Sequence, residues 1–160
     1  MQRDATHERI VQHPDELEAL LDAHTASSSS YGQILKSADP PTKQDFERAR
    51  LLIATAPADT LPETLALARH TLHAVRDIPK VDLTHFESTP AIANLLASAV
   101  VERYRVVPIM MWRDAVVLAV ADLLEEDAFG VLRFALQRHF VLVRASGVQI
   151  DETINRLYRS

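Results

Sequence analysis

The sequence contains no cysteine, so neither a disulfide framework nor a thiolate metal site can hold it together, and a reducing cytoplasm is the compartment it suits. Glycine is almost as scarce: Gly32, Gly130 and Gly147 are the only three in 160 residues. A Walker A phosphate loop and a dinucleotide fingerprint both need several glycines at fixed spacing, so the chain has neither. It cannot hydrolyse a nucleoside triphosphate by the usual route. The apolar stretches are short; Val106 to Trp112 is as long as any, against the roughly 20 residues of a membrane span. Met1 to Val11 is polar and charged and lacks the apolar core of a signal peptide. Basic charge is not in excess either. The formal net charge is -5, which offers no face for displacing counterions from phosphates, so nucleic acid is not an expected partner.

What is present is an ordinary globular balance, 48% apolar and 24% charged, enough to bury a core. Residues 1–30 read as a flexible lead-in. Within them Pro14-Asp15-Glu16 opens a short helix carrying Leu17, Leu20 and Leu21, with acids in the first turn to suit the dipole. The run Ser27 to Ser30 reads as a linker. Residues 31–77 read as a helical lobe. Tyr31 to Ser37 is a short helix, and Pro40-Pro41 breaks it. Thr42 with Asp45 then caps a helix striped with Phe46, Ala49, Leu52 and Ile53. Thr60 with Glu63 repeats the cap pattern before a helix striped with Leu65, Ala68, Leu72 and Val75, a weak internal repeat.

Residues 78–160 read as α-β-β-α-β-α. Lys80 to Phe86 is extended and irregular. Thr89 caps a helix from Pro90, with Ile92, Leu95, Leu96 and Val100 inward. Tyr104 to Trp112 is a strand that Pro108 assigns to an edge, Arg113-Asp114 is a hairpin tip, and Ala115 to Ala121 is a strand buried on both faces. A helix over 125–139 carries Phe129, Leu132, Phe134 and Leu136. Phe140 to Arg144 is a strand, Gly147 turns the chain, and a helix over 150–158 closes it. The fold class is therefore α+β: a helical N-terminal lobe followed by a small lobe with a three-stranded sheet.

Several residue groups invite a chemical reading. His70 and His73 stand three apart on a helix, a spacing open to a metal, but no further ligands are near in sequence and a helix surface explains them. Glu125-Glu126-Asp127 could form a carboxylate site, or the acidic first turn of a helix. Ser27 to Ser30 could supply a nucleophile only with a rigid base and an oxyanion donor. Met110, Met111 and Trp112 cannot all face one side of a sheet, so they either pack on both faces or leave an anchor for a partner. No catalytic, metal-binding or cofactor-binding residue is assigned, no cofactor is expected, and the partner-binding surface is left open.

The order of landmarks in the second half resembles a known family. Pro79, Val81, Asp82 and Leu83 follow its "Leu-Pro-x-Val-Asp-Leu" opening. Arg103-Tyr104, Val106 and Pro108-Ile109 follow its "Arg-Tyr-x-Val-x-Pro-Leu" segment, and Leu118 to Asp122 its "Leu-x-Val-Ala-x-Asp" strand. Leu132-Arg133-Phe134 matches the next helix, and Ile150, Ile154 and Tyr158 its closing "Ile-x-x-x-Ile-x-x-x-Tyr" helix. Five landmarks in correct order resemble the N-terminal domain of type II secretion and type IV pilus assembly ATPases. The resemblance implies a non-catalytic docking domain, cytoplasmic and held at the inner membrane through the cytoplasmic part of an assembly protein. It implies no direct membrane insertion. It also implies a motor domain beyond Ser160, so the chain reads as an excised domain or a free-standing relative.

Some members bind cyclic diguanylate (cyclic-di-GMP) through paired "Arg-Leu-Gly-x-x-Leu" motifs in the helical lobe. Here Tyr31-Gly32-Gln33-Ile34-Leu35 keeps the glycine and the leucine but puts Tyr31 in place of arginine, and the second copy, before Thr60, has no glycine. A cyclic-di-GMP sensor is thus an alternative. Another is a regulatory module of a membrane glycosyltransferase or exopolysaccharide export system, to which similar domains are attached.

Overall fold

The computed structural model describes residues 10–37 and 40–158. Among them the chain forms five strands and eight helices in one α+β arrangement. Strand β1 (Ile10–Val11) leads into α1 (Pro14–Ala26), α2 (Ser30–Ser37), α3 (Lys43–Thr55) and α4 (Pro62–Arg76). Then come β2 (Lys80–Val81), a 3-10 turn at Leu83–His85, α5 (Pro90–Ala93) and α6 (Ser98–Tyr104). Strands β3 (Val106–Trp112) and β4 (Ala115–Val120), helix α7 (Glu126–Leu136), strand β5 (Phe140–Arg144) and helix α8 (Gly147–Tyr158) complete it.

The three strands expected from the sequence are the long ones, β3, β4 and β5, but the sheet has five, in the order β1-β2-β5-β4-β3. The extra two are two residues each. Ile10 pairs Lys80, Val11 pairs Val81, and Lys80 pairs Arg144, all parallel. Strands this short have no periodicity to read, which is why Lys80 to Phe86 looks irregular in sequence. β4 and β5 run parallel from Val116↔Phe140 to Val120↔Arg144, with α7 as the crossover, and every residue of β4 is buried.

β3 stands at the sheet edge, as Pro108 requires. Its pairing with β4 shifts between Pro108 and Met110, a bulge at Ile109. That extra residue resets the alternation. Met110 and Met111 are left half-buried while Trp112 is buried. Arg113 turns the two-residue hairpin at φ 55°.

The caps show where local pattern is decisive. Thr42 and Asp45 form both bonds of the capping box, each 3.1 Å. Thr89 accepts from the Ile92 N–H over 3.2 Å. Thr60 is not a cap: Pro62 occupies the first helical position, so Leu61 is the N-cap and makes no side-chain bond. The helix expected from Pro90 through Val100 is split, α5 being a single turn, and Ala93, Leu96 and Val101 are its buried residues. On α7, Phe129, Leu132 and Leu136 face the core, but Phe134 is 80% exposed because it falls on the opposite face of the helix.

The core joins the first helices to the sheet. Leu17 and Leu21 of α1 are fully buried in the same cluster as Val106, Leu118, Leu142 and Ile150. Each leucine so buried contributes about 1.5–3 kcal/mol. Trp112 Nε1 donates to Asp22 Oδ1 over 2.9 Å and Arg113 donates to the same oxygen over 3.1 Å, which ties the hairpin tip to α1.

A cavity between the second helix and the sheet

α2 lies over a cavity of about 310 Å3 lined by Tyr31, Leu35 and Lys36, by Trp112 and Arg113 at the hairpin tip, and by Phe140 to Leu142 of β5. The position of α2 follows from its start. Ser29 Oγ accepts from the Gly32 N–H over 3.0 Å as an N-cap, and the Ser27 hydroxyl donates to the His24 carbonyl over 2.9 Å. The serine run is therefore a tight hydrogen-bonded connection between α1 and α2. His24 Nδ1 lies 3.1 Å from Ser29 Oγ, but that oxygen is engaged as a helix cap, and the His24 ring packs edge-on against Tyr31 at 5.1 Å. The pair is explained by capping and packing.

The two residues that mark the shortened motif have structural work inside this chain. Tyr31 is buried, and its hydroxyl donates to the Leu142 carbonyl over 3.2 Å. Burial pushes its phenol well above the ordinary tyrosine range. A Cβ on Gly32 would collide with the His24 carbonyl oxygen. The close approach that this glycine permits is thus to the end of α1. Leu35 is half-buried beside the cavity and Lys36 is exposed.

The other singled-out groups are dispersed. His70 is half-buried and His73 exposed on α4, and no group of three or more metal-ligating side chains occurs among the described residues. Glu125 is the N-cap of α7. Its carboxylate accepts from Gln44 over 3.2 Å, Gln44 accepts from the Glu126 N–H over 3.1 Å, and Arg48 lies 3.4 Å from Glu126. With the Lys43 N–H donating 2.7 Å to the Leu124 carbonyl, these acids dock α3 onto the start of α7.

The landmarks of the second half form the lobe's joints. Pro79 offers its carbonyl to the Arg144 N–H over 2.8 Å, and the Asp82 N–H donates to Val11 over 2.8 Å, so the "Pro-x-Val-Asp-Leu" stretch stitches β1, β2 and β5 together. The Asp82 carboxylate accepts from the Thr84 hydroxyl (2.6 Å), from Gln149 Nε2 (2.7 Å) and from the Thr84 N–H (3.0 Å). Donation from Thr84 and then Gln149 holds its carboxyl down at about 2. Gln149 also accepts from the Leu83 N–H over 2.9 Å, which fixes the start of α8. Arg105, left-handed at φ 53°, ends α6 and reaches Asp151 and the Gly147 carbonyl at 3.1 and 3.2 Å. Tyr158 closes the lobe by donating to the Ala93 carbonyl over 2.7 Å, and burial pushes its phenol up to about 12. Sequence reasoning named Asp82 and Tyr158 as landmarks but missed Gln149, whose partners lie 65–67 residues away.

No helix among the described residues is long and apolar enough to cross a membrane. No curated protein sequence matches the chain. A solved structure of MshE with cdg matches with a TM-score of 0.49 and 19% identity, over 82% of this chain and the whole of that one. The family model of the MshEN domain matches residues 76–160, just over half of the chain, and spans the joints described above. The chain belongs to the MshEN domain family, the domain type that stands N-terminal to the motor in secretion and pilus-assembly ATPases.

Proposed function

We propose that this is a non-catalytic docking and regulatory domain of a bacterial type II secretion or type IV pilus assembly ATPase. It works in the cytoplasm and binds the cytoplasmic part of an inner-membrane assembly protein, linking the motor to the membrane platform. The family match over residues 76–160 carries this reading. A cysteine-free chain suits that compartment. The test is titration calorimetry of the domain against the purified cytoplasmic part of the assembly protein. Saturable 1:1 binding supports the reading, and no heat at the highest soluble concentration removes it.

A second reading, a cyclic-di-GMP sensor, is favoured by one observation. Tyr31, Leu35 and Lys36 of the motif helix line a cavity that also presents Trp112 and Arg113, an aromatic surface and a cation of the kind a planar anionic ligand needs. Titration with cyclic-di-GMP decides it. A ligand that binds only the folded state must raise the melting temperature, so no heat and no thermal shift at large excess eliminate the sensor.

A further inference from the structure

Strand β5 is covered along one edge and only partly along the other. Its ladder with β4 starts where the Val116 N–H donates to His139 (3.1 Å) and ends where the Ala145 N–H donates to Val120 (2.9 Å). Main-chain groups alternate along a strand, so His139, Val141, Val143 and Ala145 face β4, and Phe140, Leu142 and Arg144 face away. On that far side Arg144 meets Pro79 and pairs Lys80, but β2 is two residues long and goes no further. The Leu142 carbonyl is taken by Tyr31. The Leu142 N–H and both main-chain groups of Phe140 meet no hydrogen-bonding partner on this side among the described residues. Both residues are buried and line the cavity under α2. Main-chain groups that line a water-sized cavity with no protein partner leave this half-edge open for strand pairing.

We propose that it is a slot for an extended segment of the partner protein, which adds to β5 as a short extra strand with apolar and acidic side chains in alternation. Phe140 and Leu142 present their groups about 6.8 Å apart, the repeat at which an extended main chain presents its own. Leu35 and Ile78 offer apolar walls to one set of side chains. Lys36, exposed at the rim, favours carboxylates in the other. The sheet's opposite edge offers no rival slot: β3 carries Pro108, which has no N–H, and a bulge, and Ser88 already donates to the Pro108 carbonyl over 3.0 Å. The identity of the partner rests on the docking reading; the slot is tested without it.

The probe is a capped five-residue peptide of alternating glutamate and valine, titrated into the whole chain and followed by amide NMR and hydrogen exchange. Two controls accompany it, one N-methylated at alternate residues and one with lysine for glutamate. In the free chain the Phe140 and Leu142 amides should exchange at least about tenfold faster than those of Val141 and Val143. The glutamate–valine peptide should shift and protect them, and neither control should. Lys36→Glu should weaken binding up to about fivefold, the scale of one exposed ion pair. No protection at millimolar peptide, or equal protection by the N-methylated control, overturns the slot. The assembly protein's cytoplasmic part separates the two proposals. If it binds and leaves both amides unprotected, the slot fails as the docking site and the docking reading stands. If it fails to bind while the peptide protects both amides, the reading fails and the slot stands.

Discussion

Tyr31 on α2 and Leu142 in the middle of β5, 111 positions apart, are joined by one buried hydrogen bond from phenol to main-chain carbonyl. That bond fixes the first helices to the sheet at a point where, among the described residues, no strand covers β5. Tyr31→Phe leaves the carbonyl buried and unpaired. It should lower stability by about 1–2 kcal/mol, seen as a reduced urea midpoint with an unchanged m-value.

Gly32→Ala distinguishes packing from ligand approach. The new methyl would meet the His24 carbonyl, and overpacking against main chain costs about 1–3 kcal/mol or more. A melting temperature lowered without any ligand present is the expected outcome. A variant as stable as the parent would return this glycine to a ligand-binding role.

The Asp82 carboxyl titrates below its ordinary value because it accepts three hydrogen bonds. A depressed folded-state value means the carboxylate's contribution is complete above about pH 4 and is lost as pH falls toward 2. Gln149→Leu should move the Asp82 carboxyl upward in a side-chain carbon NMR titration and shift the acid limb of unfolding to higher pH.

Tyr158 gives the opposite limb. Its phenol is raised to about 12, so its contribution is complete below about pH 10 and is lost as pH rises through 12. Tyr158→Phe should flatten the alkaline loss of stability between those values, measured by urea unfolding at stepped pH.

Gln137 holds a left-handed conformation, φ 52°, at the end of α7. Gln137→Gly relieves that strain and should stabilise the chain by about 0.5–1 kcal/mol.

Much of this architecture was legible in the sequence where signals are local or strongly periodic. The Thr42–Asp45 box, the buried run Ala115 to Val120, the edge position of Pro108 and the Ile150/Ile154 stripe all follow from rules acting within a few residues. The misreadings share a cause. β1 exists only because β2 pairs with it, and β2 only because it lies between β1 and Arg144, so nothing in Ile10–Val11 or Lys80–Val81 alone marks a strand. Phe134 is apolar yet exposed, and composition does not tell which side of α7 it takes. The cavity gathers residues from α2, the hairpin tip and β5, and nothing local to Gly32 marks its close approach to this chain's own His24.

Trp112 is the sole tryptophan of the chain, and the fold places it at the junction of three features. It walls the cavity, donates to Asp22 of α1, and lies under the Arg113 guanidinium at 4.6 Å. The protein therefore carries its own optical gauge. Indole emission reports from one known position, without a label, and responds both to an occupant of the cavity and to release of α1. The two events differ in colour: release exposes a buried ring to water and moves emission to longer wavelength, whereas an occupant keeps the ring dry.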